Sequence, residues 1–313
     1  MSVIEYADRS DWLAKRQQGI GSSDAAAALG LSRYKTPARL FYEKTGQIEP
    51  EDISAKEAVY LGLKFEPVVA DMYADETGRT LATVDEIQVH PEHSFLIASP
   101  DRRVVDEPRL VECKTAGLVS QFASILDEFG SPGSDEIPRE YIVQAMHQML
   151  VTGAEVVDVP VLFGRKPFAI YTVKRDDIFI AKMIVRLTQF WYCVQTGTPP
   201  ASKTAEDVSY KFPVAAPKPI EATTNLVAAV DQYRALKESM KESDARLDEL
   251  KMLLGEYMGE CDLLTFEGRE LLTYRNKSVS RVDLTRLKAE RPDVYTAFLN
   301  TTTGREFRLK AEK

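Results

Sequence analysis

The sequence predicts an α/β fold: a central mixed sheet flanked by helices, then a C-terminal α+β extension with a heptad-patterned helical segment. Three observations predict it. Short runs rich in β-branched and aromatic residues cluster between residues 80 and 115 and again over 156–174, with helical patterns before, between and after them. Five prolines fall within residues 198–219, a composition typical of a linker. Beyond them, apolar residues recur at heptad spacing from Leu226 to Tyr257. The expected organisation is therefore a core over 1–197, a linker over 198–219 and an extension over 220–313.

In chain order, residues 12–46 read as helices. Ser22-Ser23-Asp24 before the alanine run Ala25–Ala28 and Leu29-Gly30 gives a helix start and stop, and Thr36-Pro37 opens a second helix that closes at Gly46. A third covers Ala55 to Glu76, with Pro67 expected to bend or divide it. Strands are expected at Thr83–Val89, Phe95–Ala98, Arg103–Val105 and Leu110–Thr115, followed by a helix near Val119–Phe129 and a flexible loop over Gly130–Ser134. Pro138 opens a helix that stops at Gly153. Strands at Val156–Phe163 and Ala169–Lys174 precede a long amphipathic helix from Asp176-Asp177 to Gln195.

In the extension, Leu226, Tyr233, Met240, Leu247 and Leu254 form one heptad row and Ala229, Leu236, Ser243, Leu250 and Tyr257 another, broken by Ser243. One long helix or two shorter packed ones would satisfy this pattern. The seam must be buried within its own fold or on a partner. Two strands, Leu263–Phe266 and Leu271–Arg275, and a helix near Leu284–Glu290 interrupted by Pro292 complete the chain. Arg269, Arg275, Lys277, Arg281, Arg286 and Lys288 gather around Tyr274 as a basic patch, read as a solvated face, as a grip on a polyanion or as a dock for a partner protein.

Composition narrows the class. The 44% hydrophobic content suits a globular chain, no apolar stretch is long enough for a bilayer, and the N-terminus lacks the basic and apolar runs of a secretory signal. A cytoplasmic location is the expectation. The three cysteines are far apart and odd in number, which suits free thiols, and His90 and His93 beside Pro91 read as turn residues. The net charge of −8 argues against a protein that holds polyanions by bulk attraction, but not against one whose positive charge is concentrated in a single channel.

The chemistry is concentrated in Ala98-Ser99-Pro100-Asp101, ten residues, then Glu112-Cys113-Lys114. If this stretch is a hairpin turning at Asp106-Glu107, residues whose numbers total 213 face each other, and Asp101 stands opposite Glu112. Paired side chains lie about 5 Å apart at Cβ, so two such carboxylates repel unless a cation with oxygen ligands sits between them. Lys114 points to the same side as Glu112, and Cys113 points away while its backbone carbonyl stays available to a metal. A bare Pro-Asp…Glu-x-Lys match also fits a hairpin with a solvated face. Tyr141, Gln144 and Gln148 share one side of their helix, opposite Ile142, Ala145, Met146 and Met149, as a polar surface or as a stripe against the site. Ser23 reads as a helix cap or, with Arg16, as an anion contact.

With these residues in order, the sequence resembles the YqaJ-type viral recombinase, or phage lambda exonuclease, family of the PD-(D/E)XK nuclease superfamily. The blocks are Trp12 and Arg16 before Ile20-Gly21-Ser22-Ser23, then Gly62 and Glu66, then Ser99 with the hairpin, then Tyr141-x-x-Gln144, over about residues 10–196. The resemblance implies a restriction-endonuclease-like core and a Mg²⁺-dependent 5′→3′ exonuclease on double-stranded DNA ends, with Mn²⁺ able to substitute. It implies a single-strand annealing partner and a ring-shaped homotrimer. Asp101, Glu112, the Cys113 carbonyl and Glu66 would hold the metal, Lys114, Gln144 and Tyr141 would serve the chemistry, and Arg16, Ser23 and Ser99 would bind the 5′-phosphate. One family member has a phosphate-binding arginine soon after the lysine. Here Thr115 to Gln121 has none and Ser120 stands nearest, so Arg102, Arg103 or Arg139 would have to substitute. An endonuclease with the same site and a non-catalytic DNA-end binding module are the competing readings. The cysteine cluster of iron–sulfur relatives is missing.

Overall fold

The computed structural model describes residues 2–119, 125–301 and 304–310 and divides into two compact units, residues 1–212 and 213–313. The first begins with a short strand β1 (Ser2–Ile4) and helix α1 (Arg9–Arg16), which Asp8 caps by accepting the Asp11 N–H. Helix α2 (Ser22–Ala28) has Gly21 at its N-cap and no side-chain cap, so the serines lie inside its first turn rather than before it. Helix α3 (Pro37–Lys44) is capped by Thr36, with Pro37 where its missing N–H costs nothing. Helix α4 (Glu57–Thr77) runs through Pro67 undivided and ends at Gly78, φ 68°. Pro67 is exposed, so water can hydrate the carbonyl it leaves without a donor.

The strand expected at 83–89 separates into β2 (Leu81–Thr83) and β3 (Ile87–Val89), which join different sheets. Strands β1, β3 and β4 (Ile97–Ala98) make a three-stranded antiparallel sheet. The larger sheet contains β2, β5 (Arg102–Val104), β6 (Arg109–Val111), β7 (Lys114–Ala116), β8 (Val156–Phe163) and β9 (Ala169–Lys174). It is mixed: β6 and β7 both pair parallel with β8, and its other pairs are antiparallel.

Alternation along the strands splits the core in two. Leu110, Val157, Val159 and Tyr171 face one side, packed with α2, α3, α5 (Arg139–Thr152) and α6 (Asp177–Thr196). Val104, Val111 and Cys113 face the other, against Val69, Ala70 and Tyr73 of α4. Gly153 and Gly197 end α5 and α6 at φ 75° and 66°. Of the helix expected near 119–129, residues 120–124, including Ser120, lie outside the described residues, and 125–128 form a single tight helical turn. The loop expected to be flexible at 130–134 is pinned, with the Gly133 N–H donating to the Ile170 carbonyl.

About a third of the expected linker is helical. Helix α7 (Ala205–Lys211) carries a capping box of Thr204 and Asp207, and buried Asp207 accepts from the Thr36 hydroxyl. The first unit therefore extends to Phe212. The second unit holds one long helix, α8 (Thr224–Met258), an antiparallel hairpin of β10 (Leu263–Phe266) and β11 (Arg269–Thr273), and short helices α9 (Leu284–Glu290) and α10 (Pro292–Ala297). No helix among the described residues is long and apolar enough to cross a membrane.

Candidate active site

The hairpin of β5 and β6 has the expected register, Arg102 opposite Val111 and Arg103 opposite Leu110, and Asp106 takes a positive φ of 63° at its turn. One residue further, Asp101 comes level with Glu112, and its Oδ2 accepts the Cys113 N–H at 2.8 Å. Here the strand expected over 110–115 breaks into β6 and β7. The Glu112 N–H still donates to the Asp158 carbonyl. In a regular parallel ladder the Glu112 carbonyl would next receive the N–H of residue 160, which is a proline and has none. The ladder gap thus falls beside the two carboxylates.

Alternation turns Glu112 and Lys114 toward α5 and Cys113 toward α4. Glu112 is 5% exposed. Its Oε1 accepts from Lys114 Nζ at 2.6 Å and from Gln144 Nε2 at 2.5 Å, and its Oε2 accepts from Gln148 Nε2 at 2.6 Å. Gln144 and Gln148 stand one turn apart on α5, so both reach the same carboxylate. Lys114 Nζ also donates to Gln144 Oε1 at 3.2 Å and lies 5.0 Å from the centre of the Tyr141 ring.

Burial, and then the negative charge of Glu112, push the Asp101 carboxyl well above the usual carboxylate range. Burial alone would lower the Lys114 ammonium, but Glu112 and Asp101 outweigh it and hold that ammonium above its ordinary value. Burial, reinforced by the charge of Asp101, drives the Cys113 thiol far up, so it stays protonated.

Glu66 of α4 shares a cavity with Asp101 and Glu112, but its Oε1 is held by Arg102 Nη1 at 2.9 Å. Arg102 also donates to the Asp101 carbonyl, so it is a brace within the site. Among the described residues no cluster of three or more Asp, Glu, His or Cys side chains is gathered as a ready metal site. The donor set still suits a hard divalent cation: two carboxylates stand level at the ends of adjacent strands, one with its pKa raised by burial and then by the negative charge of the other.

The cavity, about 260 Å³, continues from Asp101, Glu112 and Gln144 to Arg16, Ser23 and Ser99. Arg16 Nη2 donates to Ser23 Oγ at 2.5 Å, and its guanidinium lies 4.4 Å from the centre of the Trp12 ring. Trp12 Nε1 donates to Ser99 Oγ at 3.4 Å. A Cβ on Gly21 would stand 2.7 Å from Arg16 Nη2, so a residue without one lets the guanidinium lie across the start of α2. Behind it, Lys44 Nζ donates to the Arg16 carbonyl at 2.8 Å and pairs with Asp24 at 2.9 Å. The structure thus brings together Asp101, Glu112, Lys114, Gln144 and Glu66 and joins them to Arg16, Ser23 and Ser99. Tyr141 lies under Lys114 and lines a second groove rather than this cavity. Arg103 and Arg139 are exposed and do not line it. Sequence reasoning placed Gln148 beside Gln144 on the polar stripe of α5 and Trp12 in the first block of the resemblance, but it did not find that Gln148 binds the Glu112 carboxylate or that Trp12 bridges Arg16 and Ser99.

Residues 11–155 match the YqaJ-like viral recombinase domain. The uncharacterized protein YqaJ of Bacillus subtilis (strain 168) is 33% identical over 310 residues, covering 96% of this chain and 94% of that protein. The chain belongs to the YqaJ-like viral recombinase domain family. All the side chains of the hairpin site, with Arg16 and Ser23, fall inside the matched segment. The extension falls outside it but is shared with the Bacillus relative. Among solved structures, the chain is similar to an alkaline exonuclease (LHK-Exo) from Laribacter hongkongensis, at 23% identity over 60% of this chain and 94% of that one, TM-score 0.49. It is also similar to a phage-related exonuclease from Haemophilus somnus 129PT, at 12% identity over 57% and 94%, TM-score 0.44.

Proposed function

We propose that this protein is a Mg²⁺-dependent 5′→3′ exonuclease that resects double-stranded DNA ends to 3′ single-stranded overhangs for recombination by strand annealing. Family membership supports nuclease or recombinase activity on DNA in general. The observation that carries the finer reading is the single cavity that joins Asp101 and Glu112 to Arg16, Ser23 and Ser99. One end has the donors for a divalent cation and the other has donors for a terminal phosphate.

Asp101, Glu112 and the Cys113 carbonyl would hold the cation, with Glu66 joining them once Arg102 lets go. When bound, the ion supplies Lewis-acid polarisation of the scissile phosphate and activation of water. Lys114, kept protonated, orients the attacking water and stabilises negative charge as it develops on phosphate oxygens. Gln144 and Gln148 fix the Glu112 carboxylate, and Tyr141 supports Lys114 from below. Arg16 and the Ser23 and Ser99 hydroxyls set the 5′-phosphate at a fixed distance from the cleaved bond. A homotrimeric ring around the duplex would tether the enzyme despite its net charge of −8, and an annealing protein would take up the product strand.

Linear and covalently closed circular duplexes incubated with Mg²⁺ test this reading. Loss of the linear DNA alone is expected. Cutting of both substrates would make the protein an endonuclease, and cutting of neither a DNA-end binding module.

A further inference from the structure

The ten seam positions of α8 are far from covered: Leu226 is 57% exposed, Met240 65% and Tyr257 81%. Helix α8 is a single run of 35 residues, roughly 50 Å long at 1.5 Å per residue. An apolar face of that length needs a partner. We propose that its partner is α8 of a second copy of this chain, paired antiparallel.

The seam is complementary to its own reverse. Place one helix antiparallel to another so that residues whose numbers total 483 meet. Each member of the first heptad row then meets a member of the second. At the two ends Leu226 meets Tyr257 of the second copy, and Leu254 meets Ala229. Inward, Tyr233 meets Leu250 and Leu247 meets Leu236. At the centre Met240 covers Ser243, the one polar seam position. Large residues face smaller ones at the ends and centre, as close packing requires. A parallel pair would instead stack Ala229 on Ala229, Ser243 on Ser243, Tyr233 on Tyr233 and Tyr257 on Tyr257, leaving two thin layers and two crowded ones.

Flanking charges choose the same direction. In the antiparallel register Lys237 lies beside Asp244 of the second copy, and two-fold symmetry makes this contact twice. The other flanking pairs, Val230 with Lys251, Ser239 with Arg246 and Gln232 with Leu253, bring no like charges together. In a parallel pair Arg246 would face Lys251, a repulsion also repeated by symmetry. No segment of the nuclease site takes part, so this pairing stands or falls separately from the enzymatic reading.

Disulfide trapping in the full-length chain tests it, with Cys193 and Cys261 replaced by Ser so that buried Cys113 is the one native thiol left. One preparation carries Leu226→Cys and another Tyr257→Cys. On mild oxidation neither should cross-link alone, and their mixture should give a heterodimer on a non-reducing gel. Cross-linking of each variant alone would mean a parallel pair, and no cross-link in the mixture would mean no pairing of this helix with itself. Either result overturns the proposal. As a second measurement, Lys237→Asp and Asp244→Lys should each weaken self-association about tenfold, and the double variant should restore it. Weakening without rescue would reject the register. Cleavage of linear DNA by the charge variants should stay at the wild-type rate.

Discussion

Lys114 and Asp101 have opposite problems, and each gives a measurement. Lys114 Nζ is bound to Glu112 and Gln144 and stays charged, so Lys114→Ala should remove the group that stabilises developing charge. Cleavage of linear duplex should fall by at least about 100-fold with circular dichroism unchanged. Full activity in a folded Lys114→Ala variant would remove it from the chemistry. Asp101 holds its proton more tightly in the folded protein than in the unfolded chain, so its contribution to stability falls as pH rises through its raised value. Asp101→Asn keeps an oxygen for the Cys113 N–H and removes the charge conflict with Glu112. At neutral pH without metal it should melt a few degrees above wild type while being inactive. An unchanged or lower melting temperature would mean that the two carboxylates do not strain the fold. Proton and metal compete for the same oxygens. The Mg²⁺ concentration for half-maximal cleavage should therefore fall as pH rises, which a metal titration at several pH values checks.

At the scale of elements, the Asp24–Lys44 pair ties the start of α2 to the end of α3, and Lys44 carries the carbonyl of Arg16 at the end of α1. Burial would raise the Asp24 carboxyl, but Lys44 and Arg16 outweigh it and bring it down to about 2. Its contribution to stability is present above the ordinary carboxylate value and is lost as pH falls toward 2. Asp24→Asn leaves Lys44, 4% exposed, without its counter-charge and should cost about 3–5 kcal/mol in urea unfolding. The same variant should narrow the preference for 5′-phosphorylated over 5′-hydroxyl ends, as should Arg16→Ala. Equal wild-type rates on both ends would reject a phosphate-selecting cavity. The hairpin register and the shared face of Gln144 and Gln148 were legible in the sequence because both rest on local periodicity. The break between β6 and β7 was not, because Pro160 imposes it from a strand nearly fifty residues away. The capture of Glu66 by Arg102 and the docking of α7 on Thr36 are likewise long-range, and no window of sequence contains both partners.

For the whole molecule, the division after Phe212 defines where the chain can be cut. A chain ending at Phe212 keeps α7 and should retain a working nuclease site. If the basic residues around Tyr274 grip phosphates, this chain should bind duplex more weakly at low salt, and the deficit should shrink as salt rises. Unchanged affinity at low salt would assign that patch another role. Light scattering of the full chain showing monomer alone at all concentrations would count against both the ring and the helix pair. The three thiols also divide between the units. Cys113 lies between Glu112 and Lys114 but is buried and held protonated, whereas Cys261 in the second unit is exposed. Thiolate is the reactive form, so an alkylating dye should find Cys261 first and leave Cys113 untouched. The native sequence thereby offers a fluorescent reporter on the extension of a working enzyme, and oxidants should spare its cleavage activity for the same reason.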